Sequence, residues 1–180
     1  KEILAMILTI TVFSLFGIPF SQFFPVFAEE ILGVGARGLG YLMGAAGAGA
    51  FSAAMMIAFR GKLRNPKRYM SAAALMFPAA LIVFSLSRSF PLSVVTLVAS
   101  GWAAVSFLAT ANSSIQLSVR DGLRGRVMSV YSLVFLGMAP VGSAVIGYVA
   151  DRIGTPQALT AAGTACLLAG GLFFMRTSRW

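Results

Sequence analysis

Few residues in this chain carry side chains able to do chemistry, and their spacing limits what that chemistry is. Ser106, Thr110 and Ser113 stand four and three apart, which places three hydroxyls on one face of a helix. Asn112 and Gln116, four apart, add a carboxamide edge beside them. Ser21 and Gln22 lie between Pro19 and Pro25, where a helix is expected to bend. Such groups only donate and accept hydrogen bonds. They are expected either to line a substrate cavity or to bond one helix to another. The chain has no histidine, one cysteine and five acidic residues. Neither a catalytic set nor a metal site is expected, and no cofactor. The lone Cys166 reads as a small packing residue.

The elements that must position these residues follow from composition. Of 180 residues, 58% are hydrophobic and 11% charged, with a mean hydropathy of +0.88. Soluble domains carry about 25% charged residues, so the chain reads as a membrane protein. A spanning helix needs about 20 mostly apolar residues. Six such stretches are predicted, at about 3–28, 39–59, 69–87, 92–117, 127–150 and 157–175. Pro19, Pro25, Pro78 and Pro140 fall inside them, which a membrane helix tolerates when its neighbours satisfy the freed backbone groups. The first stretch is too long for a signal peptide. Because the chain opens at Lys1 and not at a methionine, it is expected to be a piece of a longer protein.

The net charge of +9 is distributed in short gaps between apolar runs, which argues against nucleic acid as a partner. Eleven basic residues fall on one side of the membrane: Lys1, five in residues 60–68, Arg120, Arg124, Arg126, Arg176 and Arg179. The other side has Arg37, Arg88 and Arg152. The positive-inside rule makes the rich side cytoplasmic and puts both chain ends there. Asp121, Arg124 and Arg126 are thereby expected in a cytoplasmic loop between the fourth and fifth helices. The run "RGKLRNPKR" (60–68) is a candidate for anionic lipid.

The second and fifth stretches share an abundance of small residues. "GLGYLMGAAGAGA" (38–50) contains Gly40 and Gly44, and "GMAPVGSAVIGYVA" (137–150) contains Gly137, Pro140, Gly142 and Gly147. Small residues let helices approach closely in lipid, so these six are candidate helix-packing positions. The pattern reads as two three-helix repeats, inverted because three is odd, a plan common in transporters. The fold class is therefore all-α, polytopic, with six transmembrane helices.

The stretch "VRDGLRGRVMSVYSLVFLGMAPVGSAVIGYVADRIG" (119–154) resembles the C-terminal half of a major facilitator superfamily transporter. Its Arg124-Gly125-Arg126 run, Ser129 and the Gly147-x-x-x-Asp151-Arg152-x-Gly154 ending carry the likeness, and "FGIPFSQFFPVFAEEILGVGARGLGYLMGAAGAGA" (16–50) extends it. The similarity is to the branch of enterobactin exporters and macrolide-efflux-like proteins. It implies alternating access, with an N-terminal six-helix half of the same transporter as partner and a bacterial inner membrane as location. It also implies gating contacts at Asp121, Arg124 and Arg126, and a bulky organic small-molecule substrate exported from the cell. One departure stands out. The family often carries Gly-x-x-x-Asp-Arg-x-Gly in the loop between the second and third helices of a half, whereas here that pattern ends the fifth helix.

No acidic residue falls near the middle of a span, so any proton coupling is expected to run through the missing half. The same absence argues against a membrane enzyme. The first stretch also holds Phe13, Phe16, Phe20, Phe23, Phe24 and Phe27, expected against lipid or against an amphipathic substrate. A six-helix scaffold that does not transport, or a truncated gene product, stays open as the alternative.

Overall fold

The computed structural model describes residues 2–60 and 65–177. Six helices long and apolar enough to cross a membrane follow one another along the chain. They are α1 (Ile3–Ile31), α2 (Gly35–Phe59), α3 (Pro66–Leu86), α4 (Phe90–Ser118), α5 (Asp121–Ile153) and α6 (Thr155–Arg176). No strand occurs among the described residues. Each helix runs a few residues beyond its sequence-based bounds, and one of these differences changes a conclusion.

Residues 121–126, expected in a loop, form the first turns of α5. Only Val119 and Arg120 separate α4 from α5. Asp121 sits in the first turn, where a carboxylate complements the exposed N–H groups and the helix dipole. It also pairs with Arg124 one turn on, at 2.7 Å. Gly122 and Gly125 cost helix propensity, and these local contacts offset it. The charged residues therefore sit on the end of a 33-residue helix.

Tight junctions at the opposite face rest on glycine conformation. Gly33 (φ 63°) and Gly154 (φ 89°) adopt backbone angles that a Cβ disfavours. Gly154 ends α5, its N–H bonded to the Ala150 carbonyl at 2.8 Å. The Asp151-Arg152-x-Gly154 motif thus performs a helix stop, with Arg152 lying 4.4 Å over the Tyr148 ring.

α1 is not a uniform helix. Its α-helical start gives way to a π-turn at Phe13–Gly17, a 3₁₀ segment at Ile18–Phe23 and a second π-turn at Phe27–Ile31. Pro19 and Pro25 each withhold a donor and disturb the regular ladder. Pro78 and Pro140, by contrast, sit inside helices that continue through them.

The core is an aromatic column built from α1. Phe13, Phe20, Phe24 and Phe27 are buried. Phe13 meets Phe77 of α3 and Phe107 of α4, with centroids 5.2 and 5.0 Å apart. Phe84 of α3 collects Phe20, Phe24 and Phe27 at 5.9, 5.5 and 4.6 Å. The sequence left these rings to lipid or to a substrate. The fold gives four of the six to its own interior, because α1 is surrounded by α3, α4, α5 and α6 (Phe16 and Phe23 are half-buried).

Helix neighbours follow the repeat pattern. α2 packs on α4 as α5 packs on α1; α3 packs on α4 as α6 packs on α1; and α3 meets α6. Exchanging the two trios preserves these pairs. The α1–α2 and α5–α6 contacts lie outside the pattern.

Close approach is made by a subset of the glycines. A Cβ on Gly142 would come within 1.6 Å of the Leu15 carbonyl oxygen, so α5 lies directly on the π-turn of α1. Gly49 and Gly101 bring α2 and α4 together in the same way, against the carbonyls of Val98 and Ala46. Gly170 does so for α6 on Ala74 of α3. Gly40, Gly44 and Gly147 face open space, and Gly137 meets only Leu133 of its own helix. Pro140 is exposed. Of the six packing candidates, Gly142 alone makes a backbone approach within the chain. A small residue permits contact, but the rotation of each helix decides which small residues meet a neighbour.

Candidate functional site

The hydroxyl row of α4 does not form one surface. Ser106 and Thr110 are buried, and Ser113 is exposed. The Ser106 hydroxyl pairs with the Tyr69 hydroxyl at 2.7 Å. The Tyr69 ring stands edge-on to Trp102, with centroids 5.8 Å apart. Because α3 begins at Pro66, one turn before Tyr69, no α3 turn remains to cover Ser113. The three hydroxyls thus have different surroundings: Ser106 bonds α3 to α4, Thr110 is buried and Ser113 is exposed. Among the buried side-chain polar atoms described, only Thr110 Oγ1 has no hydrogen-bond partner.

The carboxamides lie one turn nearer the basic-rich end, on the side of α4 that meets α5. The Asn112 side chain lies beside the Tyr131 hydroxyl. Gln116 donates from Nε2 to Asn112 Oδ1. Tyr131 is buried and stacks on Phe135, with centroids 6.0 Å apart. Gln116, Asn112 and Tyr131 thus lie together near the basic-rich end of α4. A phenol and two amides can donate and accept toward an uncharged polar group, or hold the two helices in register.

Ser21 and Gln22 are exposed on the 3₁₀ segment of α1. The Ser21 hydroxyl reaches only its own turn, 3.3 Å from the Ile18 carbonyl. They do not meet the α4 residues, which lie toward the other end of the bundle. The seven candidates therefore do not share one place: Ser106 is at the α3–α4 contact, Asn112 and Gln116 near the end of α4, Ser21 and Gln22 in the middle of α1, while Thr110 is buried and Ser113 exposed elsewhere on α4.

The charged candidates are all exposed on the first turns of α5. Arg124 and Asp121 pair within their own helix, and both are open to solvent. Exposed pairs of this kind contribute about 0–1 kcal/mol. Arg126 is exposed as well. Of the basic run at 60–68, Lys67 and Arg68 are exposed at the start of α3; residues 61–64 lie outside the described residues. Lys1 and Arg179, counted in the charge asymmetry, lie outside them too.

Three residues that matter here had no place among the candidates. Tyr69 and Tyr131 complete the two polar groups on α4, and Ser14 donates to the Phe135 carbonyl at 2.6 Å, tying the π-turn of α1 to α5. Tyr131 stands seven residues after Arg124, on the same helical face, a signal available in the sequence. Nothing in the spacing distinguishes Ser14 from other small residues in apolar runs.

The clefts are apolar and lined by other residues. One of about 490 Å3 opens between α2 and α4, over Gly40, Gly44 and Ala48, with Tyr41 and Phe90 at its rim. One of about 190 Å3 lies between α1 and α6, and one of about 150 Å3 where α1, α5 and α6 meet. Helix exposure is uneven as well. In its most apolar stretch α5 is 11% buried and α2 22%, against 39–56% for the other four.

The bundle thus combines six apolar spans, close approaches at glycine and an irregular first helix. None of the curated proteins and none of the solved structures compared with the chain matches it. A family model described as a transmembrane secretion effector, of major facilitator type, matches residues 1–179. The chain is thus a multi-pass membrane protein and belongs to the transmembrane secretion effector family of major facilitator transporters.

Proposed function

We propose that this chain is the second six-helix half of a secondary transporter that exports bulky organic molecules by alternating access. In this reading both chain ends lie in the cytoplasm of a bacterial cell and α1–α6 sit in its inner membrane. The observation that carries it is the openness of α2 and α5. Tyr41, Met43, Phe51, Leu133 and Leu136 are exposed on helices that are the least covered of the six. A second six-helix bundle would cover part of that surface and enclose a cavity with the rest.

The polar residues fit roles in such a cycle. Asn112, Gln116 and Tyr131 offer hydrogen bonds at the basic-rich mouth, and Ser21 and Gln22 offer them at the bend in α1. Arg124 and Arg126 project from the end of α5, where a contact with the other half would favour one of the two states. A contact present in only one state shifts the balance by its own free energy.

The test is efflux of a panel of fluorescent organic dyes from cells expressing the full transporter. Accumulation is expected to fall relative to cells without it. Replacing Arg124→Ala and Arg126→Ala together is expected to lower flux several-fold while insertion stays normal. If no dye in the panel is exported, the scaffold reading replaces this one. Wild-type flux in a correctly inserted double mutant leaves these arginines with a purely topological role.

A further inference from the structure

The cleft between α1 and α6 has a composition that identifies its occupant. Ala5 and Ala169 are half-buried at its base, Leu8 and Leu172 stand exposed on either side, and Arg176 closes one end. The lining runs, 5–12 and 169–176, are eight residues each, about 10 Å along a helix axis. That fits within one leaflet's hydrocarbon, about 15 Å deep. Thr9, also in the lining, donates to the Ala5 carbonyl at 2.9 Å, so its hydroxyl asks for no polar ligand. The cleft is small, about 190 Å3, and apart from Thr9 and Arg176 its lining is apolar. A single hydrocarbon chain suits the space.

Arg176 supplies the complementary charge. It is exposed in the last turn of α6, on the basic-rich side, and none of Glu29, Glu30, Asp121 and Asp151 pairs with it. At that depth its natural counterpart is a lipid phosphate. We propose that the α1–α6 cleft binds one acyl chain of an anionic phospholipid, with the headgroup phosphate on Arg176. This site is separate from the basic run at 60–68 and does not depend on the identity of the exported substrate.

The test uses the full transporter, purified in mild detergent, delipidated and titrated with phosphatidylglycerol or phosphatidylcholine under native mass spectrometry. The tightest binding step is expected to favour phosphatidylglycerol about five-fold, the increment of one basic contact. Arg176→Gln is expected to abolish that preference and leave phosphatidylcholine binding unchanged. Ala5→Leu and Ala169→Leu, made separately, fill the cleft and are expected to remove the tight step for both lipids. The Arg176 variant tests the proposal even if neither filled variant folds. A preference that survives Arg176→Gln overturns it. So does an unchanged tight step in a folded cleft-filling variant. A filled variant that instead dissociates a dimer would assign the cleft to a second copy of the chain, and the lipid reading would fall.

Discussion

Gly142 shows how much a single hydrogen can decide. Its missing side chain lets α5 rest on the Leu15 carbonyl, with a virtual Cβ 1.6 Å from that oxygen. Gly142→Ala must push the helices apart or strain the π-turn, and overpacking of this kind costs about 1–3 kcal/mol. Gly147→Ala, one turn and a half along the same helix, meets nothing within 4 Å. The apparent melting temperature of the purified full transporter is expected to fall for the first and hold for the second. Tyr69→Phe should be milder, because it removes one hydrogen bond to Ser106, and such bonds average about 0.6 kcal/mol in membranes. The sequence told small residues from large ones and placed Gly142 among six candidates. Which glycine touches backbone depends on helix rotation, and rotation is set by neighbours that no local pattern contains. The same holds for Ser106 and Ser113, equivalent by spacing and opposite in burial.

Among the elements, α1 and α5 account for most of what was and was not legible. Hydropathy located all six spans, because a run of about 20 apolar residues has few other uses. The prolines marked α1 as irregular. Its two π-turns were not visible, since one of them is held by Ser14 on Phe135 and by Gly142, contacts 121 and 127 residues away in sequence. α5 was misjudged at its start, where charge and glycine looked like a loop while a first-turn carboxylate and its i+3 arginine stabilise helix. π-turns recur at functional positions in helices, and the exposed Ser21–Gln22 pair sits just beyond one. Replacing Pro19 and Pro25 together by alanine is expected to regularise α1 and lower dye efflux several-fold, with insertion unchanged. Undiminished flux would reduce the irregular run to a packing solution around Phe84.

At the scale of the whole molecule, the uneven cover of the helices is the feature that most needs a physical cause. Lipid alone would not distinguish α2 and α5 from the rest, since an apolar face serves lipid equally well on any helix. Open glycines are more specific. Gly40 and Gly44 expose backbone that side chains of a neighbour can approach, whereas lipid gains little from such a surface. The proposed second half accounts for both the exposure and the glycines. Its presence makes a prediction that lipid does not. In the full transporter, cleared of other reactive cysteines, Gly44→Cys and Leu136→Cys are expected to react with a maleimide at rates that change several-fold when a transported dye is added. Leu168→Cys, exposed on α6, is expected to stay unreactive in both conditions, as a lipid-facing thiol would. Cys166, fully buried, contributes little background. Equal and dye-independent rates at all three positions would place α2 and α5 against lipid, and the gating role assigned to the end of α5 would lose its opposing surface.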